Sequence, residues 1–222
     1  MRLLVCNASP RAETSNTDLL LDAFLGAFAA AGGEVIARFH LVRPAHFAEA
    51  VRRFAQGDAV LLAAPLYVNA LPAPGFAFIA ALEPYVGRPG NPALLFLLQS
   101  GFPEALHSRP IEVYLAKLAR RLGARSLGTI VKGGIEGIRA RPPWMRRAIL
   151  SPFAEMGRDL ARTGTLDSAK LVRLARPERL PFGPMSAIPL AVARLMSDRW
   201  WNSQLRRNGA LAERDARPYL AP

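Results

Sequence analysis

A chain of 222 residues is long enough for one sizeable core, or for one domain with an appendage. With 51% apolar and 21% charged residues, disorder is not the default; no apolar stretch approaches the ~20 residues that cross a bilayer, and one cysteine excludes an internal disulfide. The net charge of +12 sits in residues 109–222, where 22 Lys+Arg face 9 Asp+Glu, but as single arginines without interleaved aromatics, so a nucleic-acid partner is not expected.

The first apolar run, LLVC (3–6), is too short for the core of a signal peptide, and a soluble cytoplasmic protein is expected. Further apolar runs follow at EVIARF (34–39), AVLLAA (59–64), ALLFLL (93–98) and LGTIVK (127–132). The runs at 3–6, 59–64 and 93–98 lack polar alternation, as strands covered on both faces do. Segments of helical period lie between them. NTDLLLDAFLGAFAAAG sets Leu20, Ala23, Phe24, Ala27 and Phe28 on one face and stops at Gly32-Gly33. HFAEAVRRFAQG aligns Phe47, Val51 and Phe54, and IEVYLAKLARRLG aligns Ile111, Tyr114, Leu115, Leu118 and Leu122. This alternation predicts an α/β fold, a doubly wound five-stranded parallel sheet with right-handed crossovers. Beyond about residue 135, proline clusters break up helical pieces near 144–163 and 185–201. The domain reading is therefore a sheet domain over 1–135 and a helical, proline-rich extension over 136–222 packed on it.

Ligands of such sheets bind beyond the C-terminal ends of the strands. SPRAETSNTD (9–18) joins the first strand to the first helix there. The helix N-terminus favours an anion, Ser9, Ser15, Asn16 and Thr17 add neutral donors, and Arg11 adds a planar cation suited to phosphate. Helix capping is the plainer reading of Ser15, Asn16 and Asp18, but capping alone requires neither Ser9 nor Arg11. The glycine-rich dinucleotide fingerprint and the Walker lysine loop are both absent from this loop. APLYVNALPAPG follows the third strand, stiffened by Pro65 and Pro72. It reads equally as one edge of a site for a planar heterocycle or as an ordinary turn with Tyr67 in the core. QSGFPE follows the fourth strand, where Gly101 permits close backbone approach.

Taken together, SPRAETSNT, PLYVNALPA and QSG resemble the flavodoxin-like NAD(P)H-dependent FMN reductase family, which includes quinone and nitro-compound reductases. The resemblance covers about residues 1–132. It implies a flavodoxin-like sheet and FMN as cofactor, with Ser9, Arg11, Ser15, Asn16 and Thr17 on its phosphate. Pro65, Leu66, Tyr67, Val68 and Asn69 would border the ring, with Ser100 and Gly101 facing it. It also implies NAD(P)H as co-substrate, a small-molecule electron acceptor and a homodimer. Where many relatives carry a lysine and an aspartate in the next helix, this chain has Phe76 and Ala80. Iron–sulfur members of that family carry a compact cysteine cluster before the third strand; HLVRPAHFAEAVRRF contains no cysteine, so a cluster of that kind is excluded. An electron carrier without pyridine-nucleotide activity and a cofactor-free scaffold of the same fold are the alternatives; such carriers are typically acidic, and this chain is basic.

The remaining candidates are read conservatively. His40 and His46 are expected to be structural or on the surface, His107 lies near the third loop, and Cys6 reads as a small core residue. In the tail, Trp200 and Trp201 stand about 100° apart on a helix and are expected to touch different surfaces. Residues 185–205, which include Pro189, Leu195 and Met196, are expected to bury apolar surface against a partner copy or the sheet domain.

Overall fold

Five strands, β1 (Arg2–Asn7), β2 (Glu34–His40), β3 (Ala59–Pro65), β4 (Ala93–Gln99) and β5 (Ser126–Lys132), form one parallel sheet in the order β2-β1-β3-β4-β5. Each lies within one residue of the apolar run that predicts it. The computed structural model describes residues 1–180 and 184–217; the side chains of 184–193, 196 and 197 lie outside the described residues. All seven positions of β3 and of β4 are buried, which is why both read as unbroken apolar runs. The register sets Leu3 beside Ala59, and Asn7 beside both His40 and Ala63, so β1 and β2 end level while β3 runs on to Pro65.

Helices α1 (Asn16–Ala30), α2 (Pro44–Arg52), α3 (Ala73–Ala81), α4 (Arg109–Leu122), α5 (Pro143–Thr163) and α6 (Ser168–Ala175) follow, with α7 (Pro184–Arg207) last. Ser15 caps α1, its Oγ accepting the Asp18 N–H at 3.0 Å. Just beyond the helix Gly32 takes φ +92°, and at the end of α4 Gly123 takes φ +67°, both left-handed turns that a glycine makes without strain. One core joins Leu3, Val5, Leu61 and Leu95 to Phe24 and Phe28 of α1 and Phe153 and Leu160 of α5. The other joins Leu4, Val60 and Phe96 to Phe54, to Phe78 of α3 and to Leu115 of α4. The sheet is thus covered on both faces.

Two details differ from the sequence reading. Tyr114 is exposed, not in the core, and its ring packs edge-on against Phe76 at 5.9 Å. Helix α6 was not expected; it runs along β5, with Leu171 over Gly128. The chain divides into two compact units after Arg179, Met1–Arg179 and Leu180–Pro222, so α5 and α6 belong to the unit that contains the sheet. In the second unit the Trp200 and Trp201 rings meet each other edge-on at 4.8 Å, and Trp201 and Leu195 are more than half exposed. The side chains of Pro189 and Met196 lie outside the described residues. Among the described residues no helix is long and apolar enough to cross a membrane.

Candidate cofactor-binding site

The strand order reverses between β1 and β3. From these neighbouring strands the chain leaves to α1 on one face and to α3 on the other, which opens a crevice at their C-terminal ends. The loops after β1, β3 and β4 reach this edge, as expected, and so does the loop after β5 (133–141), which sequence reasoning missed.

In the first loop the peptide turns through Ala12 at φ +44° and a short 3-10 turn, Ala12–Thr14. Ser9, Ser15, Asn16 and Thr17 are buried and Arg11 is exposed. The hydroxyls are not equivalent. Ser15 Oγ is committed to the helix, accepting from Asp18 N–H and donating to the Ala12 carbonyl at 2.6 Å. Asn16 Nδ2 donates to the Ile135 carbonyl at 3.3 Å, and Thr17 Oγ1 accepts from Gln99 Nε2 at 3.2 Å. The Thr17 and Ser9 hydroxyl protons have no acceptor among the described residues. Neither do the backbone N–H groups of Asn16 and Thr17, which begin the helix and have no carbonyl one turn back to bond.

The two carboxylates of this loop are both paired with arginines. Asp18 points under α1, where its Oδ1 accepts from Asn7 Nδ2 at 2.9 Å and His40 Nε2 at 2.9 Å and pairs with Arg38. Burial alone would raise its pKa; the hydrogen bonds from His40 and Asn7 and the Arg38 charge outweigh it and hold the carboxyl below its ordinary value. Glu13 pairs with Arg43 at 2.7 Å, with His40 Nδ1 at 3.3 Å. His46 Nδ1 accepts the His40 N–H, so both histidines serve structure, as expected. The face left to a ligand presents N–H and O–H donors and the Arg11 guanidinium. That donor set fits a phosphate dianion.

The second loop is a tight hairpin. Tyr67 and Ala70 exchange backbone hydrogen bonds at 2.9 and 3.0 Å around Val68 and Asn69, both in the left-handed region. Pro65 and Leu66 are buried; the Leu66 N–H bonds the Gln99 carbonyl at 2.8 Å, tying this loop to the end of β4. Tyr67 is 45% exposed, which removes the alternative of a core tyrosine. In the third loop Ser100 is buried and donates its hydroxyl to the Phe102 carbonyl at 2.9 Å, while Gly101 is exposed. A Cβ on Gly101 would stand 3.4 Å from the Glu136 side chain.

The fourth loop locks these pieces together. Ile135 N–H bonds the Ser100 carbonyl and Gly134 N–H the Phe102 carbonyl, and Arg139 donates to the Ser15 carbonyl at 2.7 Å. A Cβ on Gly133 would lie 2.4 Å from the Pro103 carbonyl oxygen, so only glycine fits this approach. The glycine density of KGGIEG (132–137) was the available signal. His107 bridges the second and third loops, its Nδ1 3.0 Å from Asn69 Oδ1.

Cys6 is fully buried in β1, where burial pushes its thiol pKa up, so it serves the core and not as a nucleophile. Among the described residues no three His, Cys, Asp or Glu side chains are grouped to hold a metal ion.

No family model and no curated protein matches the chain. Solved structures do. An NADH:FMN oxidoreductase in its apo form is 19% identical over 79% of this chain and 96% of its own, with a TM-score of 0.53. An azoreductase from Bacillus anthracis is 19% identical over 72% of this chain and 99% of its own, with a TM-score of 0.53. An NAD(P)H:quinone oxidoreductase from Methanothermobacter marburgensis is 17% identical over 72% and 96%, again with a TM-score of 0.53. What the chain shares with these oxidoreductases, at such identities, is the flavodoxin-like fold.

Proposed function

We propose that this chain binds FMN and is an oxidoreductase that takes a hydride from NAD(P)H and delivers it to a small-molecule acceptor such as a quinone, a nitro or azo compound, or free flavin. The observation that carries the reading is the state of the first loop: both of its carboxylates are paired, Asp18 with Arg38 and Glu13 with Arg43, while the Ser9 and Thr17 hydroxyls, the N–H groups of Asn16 and Thr17 and the Arg11 guanidinium are donors without an acceptor among the described residues. Ser9, Arg11, Thr17 and the N–H groups of Asn16 and Thr17 would hold the phosphate, with Ser15 fixing the helix that presents them. Pro65, Leu66, Tyr67, Val68 and Asn69 would border the ring, with Ser100 and Gly101 opposite. Bound FMN supplies the hydride chemistry, and the chain's share is anchorage, orientation and exclusion of water. The fold neighbours support the same reaction class, being an FMN oxidoreductase, an azoreductase and a quinone oxidoreductase. The basic second half of the chain would draw in an anionic co-substrate, NADPH more strongly than NADH. We further propose a homodimer in the cytoplasm.

The test is the visible spectrum of the purified protein, followed by anaerobic addition of NADPH or NADH. Flavin absorbance that bleaches without a partner protein supports the proposal. A colourless protein that ignores added FMN overturns it in favour of a scaffold, and a bound flavin that only dithionite reduces favours an electron carrier.

A further inference from the structure

The tip of the second loop is strained: two backbone hydrogen bonds between Tyr67 and Ala70 close the turn, but no packing of the Val68 side chain offsets the strain. Val68 takes φ +50° and Asn69 φ +60°, the pair of left-handed conformations required by a two-residue type I′ turn. Asparagine tolerates that region, whereas a β-branched residue there is an outlier held at a cost in free energy. A buried valine could recover the cost by packing. Val68 is 96% exposed and recovers none. Strain of this kind persists where the surroundings impose it, and it gathers at functional sites.

The side-chain contact that reaches this turn from another loop is that of His107. It stands on the 3-10 turn Ala105–Ser108, and that turn is pinned from behind: Ala105 N–H bonds the Pro177 carbonyl, Leu106 N–H bonds the Glu178 carbonyl, and Arg109 pairs with Glu178. From this base His107 Nδ1 meets Asn69 Oδ1 at 3.0 Å, and Nε2 lies 3.5 Å from Glu104. The imidazole also packs on the Phe102 ring at 4.9 Å between centroids. Phe102 is 62% exposed. One imidazole therefore touches both Phe102 and the turn that carries Val68, two large apolar side chains exposed on two different loops of the candidate site. An exposed apolar pair at such an edge suits a flat, uncharged ring.

We propose that His107 is a positioning residue, which through Asn69 holds the strained turn so that Val68 and, through ring contact, Phe102 form an apolar platform for a planar, uncharged electron acceptor. This rests on the functional reading above, and the experiment separates the two. With the flavin-loaded protein, KM for a small naphthoquinone should rise at least fivefold in His107→Ala while kcat falls by less than half, and His107→Gln, which can still donate to Asn69, should recover most of the loss. Val68→Gly should raise KM likewise, because the platform loses its side chain. An unchanged KM in His107→Ala with flavin bound overturns the proposal, as does failure of glutamine to rescue.

The second readout needs no flavin. Melting temperatures of the cofactor-free wild type, His107→Ala, Val68→Gly and the double variant form a cycle. If His107 holds a strained turn, its removal releases that strain in the wild type, so it should lower the melting temperature by less there than in the Val68→Gly background, where there is no strain to release. Additive shifts overturn the clamp. A chain that binds no FMN fails the functional reading, whereas the cycle tests the clamp regardless.

Discussion

Asp18 gathers three partners on one carboxylate: it pairs with Arg38, meets His40 Nε2 and accepts from Asn7, beneath the first turn of α1. Asp18→Asn keeps the shape and removes the charge. Breaking a buried ion pair costs about 3–5 kcal/mol, and we expect the lower end because Arg38 keeps Asp22 at 2.6 Å. Its folded pKa lies below the unfolded value of about 3.9, so the folded state binds fewer protons across that interval. The stabilisation is therefore complete above about pH 4 and is lost as pH falls through the depressed folded pKa. Urea midpoints measured from pH 7 downward should fall more steeply for wild type than for Asp18→Asn; parallel curves would exclude this carboxylate as the source. Arg11 gives the complementary test. Arg11→Ala should weaken FMN by about 1.5–3 kcal/mol, the range for a hydrogen bond to a charged group. Riboflavin, which lacks the phosphate, should bind both proteins equally, and equal loss of the two ligands would remove Arg11 from the phosphate. The Asp18 cluster could not be read from the sequence, because joining residues 7, 18 and 40 requires the register that sets Asn7 beside His40.

At the scale of elements, α1 and α5 pack at a glycine. A Cβ on Gly157 would stand 2.1 Å from the Phe24 carbonyl oxygen and 3.2 Å from the Phe28 nitrogen. These are backbone atoms of a helix and cannot rotate aside. Alanine at this position gains about 1 kcal/mol of helix propensity, yet forcing a well-packed contact apart costs about 1–3 kcal/mol. We expect Gly157→Ala to lower the melting temperature, and a rise would mean that the crossing is looser than described. The same reasoning separates what was legible from what was not. All five strands announced themselves because burial on both faces, or on one, leaves an unbroken or nearly unbroken apolar run. The first loop was legible because hydroxyls, amide and arginine crowd one strand-to-helix turn. The fourth loop was not, because Gly133 is required by the carbonyls of Phe102 and Pro103, thirty residues away. Tyr114 was misplaced because helical period assigns a face without saying how far a neighbour extends; Phe76 meets its ring at the surface. Helix α6 has too few residues for a periodic signal, with only Leu171, Leu174 and Ala175 turned inward.

At the scale of the whole molecule, the compact unit ends at Arg179, and every residue of the two hydrophobic cores lies at or before Ala175. The four candidate loops also lie within that unit. Residues 180–222 therefore add no described side chain to either core or to the site, yet they bring α7, with Leu195 and Trp201 more than half exposed. Exposed apolar side chains on a basic helix suit a second copy of the chain better than solvent. This gives the proposed homodimer a test that separates assembly from folding. A chain ending at Arg179 should unfold cooperatively, with a melting temperature and flavin content close to those of the full-length protein measured at the same concentration. Its sedimentation coefficient should be that of a monomer, whereas the full-length protein should sediment as a dimer. If the truncated chain stays dimeric, the interface belongs to the sheet-containing unit. The half-buried and exposed faces of α3 and α4 are then the place to seek it: Phe76 and Tyr114 lie on them, beside an apolar groove of about 480 Å³ lined by Ile79, Val86 and Leu118. If instead the truncated chain melts early or loses its flavin, residues 180–222 support the first unit directly, and their role is stability and not assembly.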